Sequence, residues 1–179
     1  MSDTPLDRAF DALFARWSAT LAGGLPREEH DPEWASPCEI GNLDEEGRIA
    51  WRPVARPELA DVVPLAGISV PESLRRYLGA RYFGSIRTRH RIEGERLSIS
   101  LRSVWNDADL SRTLAGAQQE IERSLDETGR PLFCIANTDD DRFFAVSLAT
   151  GEVTLEDFGR PPTLVAASLE AFLDLLASA

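Results

Sequence analysis

The sequence predicts an α+β fold, and three observations support this prediction. Apolar residues recur at helical spacing near both ends of the chain and in two segments between them. Alternating apolar and polar residues, interrupted by turn residues, mark consecutive strands that favour antiparallel pairing. Apolar residues make up 43% of the 179 residues, enough for a packed core. We therefore expect one domain, residues 1–179, with a mixed, mostly antiparallel sheet flanked by helices.

The first predicted element is a helix that begins at Pro5. Thr4 is a suitable cap, and Asp7 completes a capping-box pattern. Gly23-Gly24 ends an apolar stripe at helical spacing, which consists of Leu6, Phe10, Leu13, Phe14, Trp17 and Leu21. We expect this stripe to pack on the domain, and a partner-binding helix is the alternative.

The next segments predict an ordered loop, a strand, a helix and a β-hairpin. Residues 25–47 are the loop, "RIAWRPV" at 48–54 is the strand, and Pro71-Glu72 opens the helix. The hairpin "YFGSIRTRHRIEGERLSISLRSV" turns at residues 93–95. Its alternation predicts inward-facing Ile86, Ile92, Leu97, Ile99 and Leu101 and outward-facing Arg87, Arg89, Arg91, Ser98, Ser100 and Arg102.

The C-terminal part predicts a helix, three strands and a last helix. Asn106 caps a helix that runs to about Leu125. The apolar strands "PLFCIAN" and "RFFAVSL" are joined by an acidic turn, and a second turn leads into "EVTLED". We expect the last helix to begin at Pro161-Pro162-Thr163 and to bury a stripe of Val165, Leu169, Phe172, Leu173 and Leu176.

Charge is unevenly distributed along the chain. All 19 basic residues are Arg, and the net charge is −11. Residues 75–112 hold nine Arg and four acids, whereas the segments before and after them each carry a net charge of −8. An acidic protein of this kind is a poor match for a nucleic-acid backbone, so we expect no nucleic-acid partner.

The start of the chain lacks a basic segment followed by an apolar run, so we expect no signal peptide. No stretch approaches the roughly 20 apolar residues of a membrane span. With Cys38 and Cys134 as the two cysteines, a reduced cytosolic protein is the simplest interpretation.

The sequence predicts no cofactor and no metal site. Asp139, Asp140 and Asp141 are adjacent, so their side chains alternate in direction and do not converge on one ion, and the spacing of a calcium loop is absent. His30 and His90 have no zinc-ligand partners at suitable spacing. His90 is expected to be a buried, satisfied imidazole.

Catalytic motifs are likewise not found. The sequence contains no nucleophile elbow, Walker A loop or dinucleotide fingerprint. Cys134 is expected to be a buried strand residue, and Cys38 a reactive loop residue. Paired carboxylates remain open because thirty acids always allow some pair.

The outward arginines of the hairpin suggest two interpretations. They could contact RNA or phosphate, but no aromatic residue is interleaved with them on that face, as base stacking requires. We therefore expect a solvated face whose arginines pair with nearby acids.

Several motifs, in order, carry a resemblance to a known family. They are "SPC" at 36–38, "WRP" at 51–53, "YLGARYFGSI" at 77–86, "LSISLRSVWNDADL" at 97–110, "PLFCIANTDDDRFFAVSLATGEVTLEDFG" at 131–159 and "SLEAFLDLL" at 168–176. The chain resembles the Syd family of bacterial SecY-interacting proteins, within the SUKH superfamily. The Arg-rich run 87–91 and "AGAQQEI" at 115–121 depart from the family pattern.

The resemblance implies a SUKH-like fold and a protein without enzymatic activity. It implies loose attachment to the cytoplasmic side of the inner membrane through SecY, with membrane contact only by that route. It further implies that an acidic concave surface binds free or misassembled SecY and so restrains or proofreads the translocation channel.

Elementary electrostatics favours the same partner. Cytoplasmic loops of membrane proteins carry excess Lys and Arg, which attract an acidic protein. We therefore predict a partner-binding acidic surface of Asp139, Asp140, Asp141, Glu152, Glu156 and Asp157. Solubility is the simpler role for any one of these acids. The alternative function is a SUKH-type immunity protein that neutralises a basic toxin, since an acidic groove would serve that role equally.

Overall fold

The computed structural model describes residues 4–157 and 159–178. Within them the helices are α1 (Pro5–Ala19), α2 (Glu72–Gly79), α3 (Asp107–Thr128) and α4 (Leu169–Ala177). The strands are β1 (Arg27–Glu29), β2 (Glu39–Ile40), β3 (Arg48–Trp51), β4 (Val54–Ala55), β5 (Arg81–Tyr82), β6 (Arg87–Ile92), β7 (Glu95–Leu101), β8 (Leu132–Thr138), β9 (Phe143–Ser147), β10 (Val153–Glu156) and β11 (Thr163–Ala166).

The main sheet has six strands in the order β11-β10-β9-β8-β7-β6, and each neighbouring pair is antiparallel. Each strand therefore pairs with its neighbour in sequence. Two smaller antiparallel sheets, β1-β3-β2 and β4-β5, come from the first half of the chain. The α+β class predicted from sequence is confirmed.

One hydrophobic cluster joins the helices to the sheets. Helix α1 lies against α4, and α3 lies against β8. Phe172 of α4 packs on Phe144 of β9 with ring centroids 5.0 Å apart, and Phe10 of α1 packs on Phe83 at 4.9 Å. No helix in the described part of the chain is long and apolar enough to cross a bilayer.

Helix termini follow the local signals of the sequence. The Thr4 hydroxyl accepts a hydrogen bond from the Asp7 backbone N–H at 3.2 Å, and the Asp7 carboxylate accepts one from the Thr4 N–H at 3.2 Å. This is the predicted capping box. Asn106 caps α3 by accepting from the Asp109 N–H at 2.8 Å, and Gly129, with φ of 70°, ends that helix.

Two predictions of local structure are wrong. The segment 25–47 was expected to be a loop, but it contains β1, β2 and a 3₁₀ turn, because short stretches of it pair with β3. The last helix was expected to begin at Pro161-Pro162-Thr163. It begins instead at Leu169, capped by Ser168, because residues 163–166 form β11 on the edge of the main sheet.

The predicted hairpin is confirmed as β6 and β7. Ile92 pairs with Glu95, and Arg87 pairs with Ser100. The inward residues Ile86, Ile92, Leu97, Ile99 and Leu101 are buried, and Arg87, Arg89 and Arg91 are exposed.

Candidate functional site

The six acids predicted as a recognition surface divide into two groups. Asp139, Asp140 and Asp141 form the turn between β8 and β9, and Glu156 lies opposite Phe143 at the start of β9. Asp157 follows Glu156, so these five acids lie at one end of the sheet. Glu152 lies at the other end of β9, about 17 Å away for a five-residue strand, where its carbonyl accepts from Ser147.

The turn of the β6–β7 hairpin adds two acids to the first group. Arg142 pairs with Glu95 at 2.8 Å, which places Glu93 and Glu95 beside the β8–β9 turn. We call the set Glu93, Glu95, Asp139, Asp140, Asp141, Glu156 and Asp157 the acidic edge. The sequence predicted the turn at residues 93–95 but not its position beside the β8–β9 turn, because the pattern does not show how the strands pair.

The Asp140 carboxylate pairs with Arg142 of the same turn. Its carboxylate accepts hydrogen bonds from Arg142 Nε at 3.1 Å and Nη2 at 2.5 Å and from the Thr138 hydroxyl at 2.7 Å. The Arg142 and Thr138 hydrogen bonds hold the pKa of the Asp140 carboxyl well below its usual range. This aspartate therefore shapes the turn.

The Glu156 carboxylate also has hydrogen-bond partners within the protein. Arg130 donates to both of its carboxylate oxygens, at 3.0 and 3.1 Å, and the Thr154 hydroxyl donates at 2.5 Å. Its side chain is 13% exposed. Asp157 has a weaker pair, 3.4 Å from Arg160. Of these two acids, Asp157 has the more accessible carboxylate.

Three carboxylates of the acidic edge remain available to a partner. Glu93, Asp139 and Asp141 are exposed, and none has an ion pair within the described residues. Asp141 has φ of 66°, a left-handed conformation that Asp tolerates better than most residues. The β8–β9 turn thus presents two unpaired aspartates on either side of the paired Asp140.

The described residues contain no cluster of three or more His, Cys, Asp or Glu placed to hold a metal ion. In the 139–141 turn, the central carboxylate is directed to Arg142. The histidines are separate: His30 Nδ1 lies 3.3 Å from Glu39, whereas His90 is on β6.

The environments of His90 and the cysteines differ from prediction. His90 is buried as expected, but its Nδ1 has no hydrogen-bond partner within the described residues, so "satisfied" was wrong. Burial and the nearby charge of Arg16 lower its pKa. Cys38 is 0% exposed, whereas Cys134 is partly exposed, the reverse of the expectation. Phe133 and Ile135 take the buried positions of β8 and leave Cys134 on the other face.

Comparison with known proteins identifies the family. A model of the family described as "Syd protein (SUKH-2)" matches residues 6–178. The chain belongs to the Syd family. In an alignment of 189 positions, it is 37% identical to "Protein Syd" of Aeromonas salmonicida, and the alignment covers 98% of this chain and 97% of that protein. It is 33% identical over 157 residues to "Protein Syd" of Pseudoalteromonas translucida, covering 84% and 85% of the two chains. Neither description names an enzymatic activity.

Several of the motifs that carry the Syd resemblance have structural roles. The Ser36 hydroxyl of "SPC" donates to the Trp105 carbonyl, and Trp105 Nε1 donates to the Trp34 carbonyl at 3.0 Å. Trp51 of "WRP" is 0% exposed, and a Cβ on Gly84 would lie 2.7 Å from its ring. These motifs connect the first half of the chain to the start of α3, and they do not themselves identify the partner surface.

Proposed function

We propose that this protein is a non-enzymatic cytosolic protein that binds SecY through the acidic edge. By this proposal it attaches to the cytoplasmic side of the inner membrane only through SecY, and it senses free or misassembled SecY. Membership of the Syd family supports the choice of partner. The observation that carries the proposed surface is the presence of three unpaired, exposed carboxylates, Glu93, Asp139 and Asp141, at one end of the main sheet.

Electrostatics explains why such an edge suits this partner. The cytoplasmic loops of a membrane channel carry excess Lys and Arg. Unpaired carboxylates on this hydrogen-bonded turn attract these loops over a Debye length of about 8 Å at physiological salt. Asp140 and Glu156 contribute by fixing the turn and the end of β10, and Asp157 adds a partly exposed charge. Glu152 lies outside this edge and is proposed as a peripheral contact.

Charge reversal at the turn tests the proposal. The variant Asp139→Lys/Asp141→Lys changes two unpaired carboxylates and breaks no internal pair. Lys suits the left-handed backbone at position 141 less well than Asp does, so the variant should fold but be less stable by roughly 1 kcal/mol. We expect it to lose capture by purified SecY in detergent. Glu156→Lys is a poorer test because it would remove the partner of Arg130.

A control variant distinguishes the effect of charge at the acidic edge from the effect of the protein's net charge. Glu45→Lys/Glu58→Lys changes the net charge equally on exposed residues outside the acidic edge, and it should retain capture. Raising the salt from 0.15 M to 1 M should weaken binding mainly by slowing association. Retained capture by the Asp139/Asp141 variant, or binding indifferent to salt, would contradict the acidic edge as the interface.

The alternative function, that of an immunity protein, would also require an acidic surface, but the partner would be a basic toxin instead of SecY. If this protein neutralises a basic toxin, the unmodified chain should not bind SecY at all. Absence of SecY binding by the unmodified chain therefore rejects the proposed function, whereas loss in both double variants rejects only the choice of surface.

A further inference from the structure

Arginines of the β6–β7 hairpin lack the partners expected from the sequence. Arg87, Arg89 and Arg96 are exposed, and none of them has an ion pair within the described residues. The expectation that the outward arginines pair with nearby acids is therefore wrong for Arg87 and Arg89, whereas it is confirmed for Arg102, which lies 3.3 Å from Glu120. Arg91 lies on β6 with Arg87 and Arg89, and it donates to the Gly94 carbonyl at 2.6 Å. In a protein with a net charge of −11, unpaired arginines gathered on one hairpin require an explanation.

A pocket of about 590 Å³ lies between the hairpin and helices α1 and α4. We call it the basic cleft. Arg87, Arg89 and Arg96 line it from the hairpin, and Arg16 lines it from α1. Arg16 is held in place because its Nη1 donates to the Ala177 carbonyl at the end of α4 at 2.7 Å. None of the lining residues is an acid.

The cleft also has an apolar wall and neutral donors. Trp17 and Leu13 of α1 form part of the wall, and Thr88 and Ser98 add hydroxyl groups. The strand itself carries no interleaved aromatic residue, but the fold brings Trp17 from a distant part of the sequence to the same cleft. Sequence reasoning therefore missed this combination of an aromatic ring with arginines.

The chemistry of the lining selects a class of ligand. Guanidinium groups present paired donors that match phosphate oxygens, and hydroxyl groups complete such sites. Four like charges without a carboxylate repel one another, and a bound anion relieves this repulsion. The volume lies in the range of small-molecule sites, and the apolar wall suits the non-phosphate part of a ligand. An acidic peptide would use the charges but would make less use of the apolar residues Leu13, Trp17 and Leu176 beside them.

We propose that the basic cleft binds phosphate esters of small-molecule size, with Arg16, Arg87, Arg89 and Arg96 contacting the phosphate and Trp17 contacting the remainder. This chemistry is shared by free nucleotides and by the headgroups of anionic phospholipids. The proposal is independent of SecY binding, because the acidic edge and the basic cleft have no residue in common.

Titration calorimetry with three probes tests the proposal and distinguishes the sources. The probes are inorganic pyrophosphate, adenosine diphosphate, and vesicles of phosphatidylglycerol compared with vesicles of phosphatidylcholine. Saturable binding of either soluble probe in 0.15 M chloride supports a free phosphate ligand. Binding to phosphatidylglycerol vesicles alone supports a lipid headgroup. No saturable binding of any probe overturns the proposal.

Paired variants locate the binding. Arg89→Gln/Arg96→Gln should weaken binding by about tenfold or more, since each arginine makes a charge-assisted contact. Arg52→Gln/Arg123→Gln removes the same charge from exposed residues outside the cleft and should change the affinity less than about twofold. Equal weakening in both variants would show non-specific attraction and would overturn the assignment to the cleft.

A measurement on the unmodified chain does not depend on how the variants fold. Phenylglyoxal modifies accessible arginines, and mass spectrometry reports the rate at each position. Saturating pyrophosphate should slow modification of Arg89 and Arg96 and leave Arg52 and Arg123 unchanged. Unchanged rates at Arg89 and Arg96 in the presence of a probe that binds would place its site elsewhere.

Discussion

Cys38 and Cys134 have thiols in different environments. Cys38 is 0% exposed, and its backbone N–H donates to the Ser36 hydroxyl at 3.0 Å. Cys134 is partly exposed, and its Sγ lies 3.5 Å from Asn137 Oδ1. Burial raises the pKa of both thiols, so little thiolate is present at neutral pH. Accessibility therefore decides which cysteine reacts first.

We predict that iodoacetamide modifies Cys134 before Cys38 in the native protein. The rate at Cys134 should rise with pH as thiolate forms, whereas Cys38 should react only when the protein unfolds, because its sulfur is inaccessible. Peptide mapping by mass spectrometry after timed quenching measures both rates. Denatured protein is the control, in which the two cysteines should react at similar rates. Equal rates in the native state would show that the segment around "SPC" opens readily.

Residues with local partners were the most predictable part of the sequence. The Thr4–Asp7 capping box and the Asn106 cap were predicted, because the partners in each cap lie within three residues of each other. β11 was missed because Pro161-Pro162-Thr163 also suits a helix start, and pairing with β10 decided its structure. The candidate site divides in the same way: the acids were visible, but the Glu156–Arg130 and Glu95–Arg142 pairs join different strands and depend on how those strands pair.

At the scale of elements, a buried ion-pair network joins α1 to its neighbours. Asp7 of α1 accepts from Arg76 of α2 at 2.8 Å and also pairs with Arg81 of β5. Burial alone raises the pKa of the Asp7 carboxyl, but hydrogen bonds from Thr4, Arg76 and Arg81 outweigh it and lower the pKa to about 2. The charged form of Asp7 thus stabilises the folded state. Asp11 pairs with Arg81 at 2.7 Å but is 70% exposed.

We predict that Asp7→Asn lowers the free energy of unfolding at pH 7 by roughly 2–3 kcal/mol, because a pKa of about 2, down from 3.8, corresponds to that amount. Asp7's contribution is fully present above the unfolded pKa and is lost as the pH falls from about 4 to 2. Urea unfolding across this pH range measures it. Asp11→Asn is the matched control and should cost less than about 1 kcal/mol. Equal costs for the two variants would contradict the role of burial.

At the scale of the whole molecule, the first and last helices stabilise each other. Helix α1 lies against α4, Arg16 bonds to the Ala177 carbonyl, and Phe172 anchors α4 on Phe144 of the main sheet. Helix α1 is therefore linked to the main sheet through α4. The acidic edge and the basic cleft both include residues of the β6–β7 hairpin: Glu93 and Glu95 belong to the edge, and Arg87, Arg89 and Arg96 line the cleft.

We predict that Phe172→Ala destabilises the protein by about 3–5 kcal/mol, because it leaves a cavity under α4. Hydrogen exchange should show that amides of α1 and of the sheet lose protection together, as expected for cooperative unfolding. Leu164→Ala, at a side chain that is 58% exposed, is the control and should change stability by less than about 0.5 kcal/mol. Unchanged protection of α1 would show that α1 does not depend on α4.

The pairing of α1 with α4 also has a consequence during synthesis. About 150 residues separate the two helices, so at 5–20 residues per second the ribosome needs roughly 8–30 seconds to add the partner of α1. During that interval Leu6, Phe10 and Leu13, which are buried in the finished protein, lack that partner. The strands from β6 to β11, each paired with its predecessor, are able to assemble in the order in which they emerge. Of the helices described, α1 leaves the ribosome first, and it is thus among the last elements to be completed.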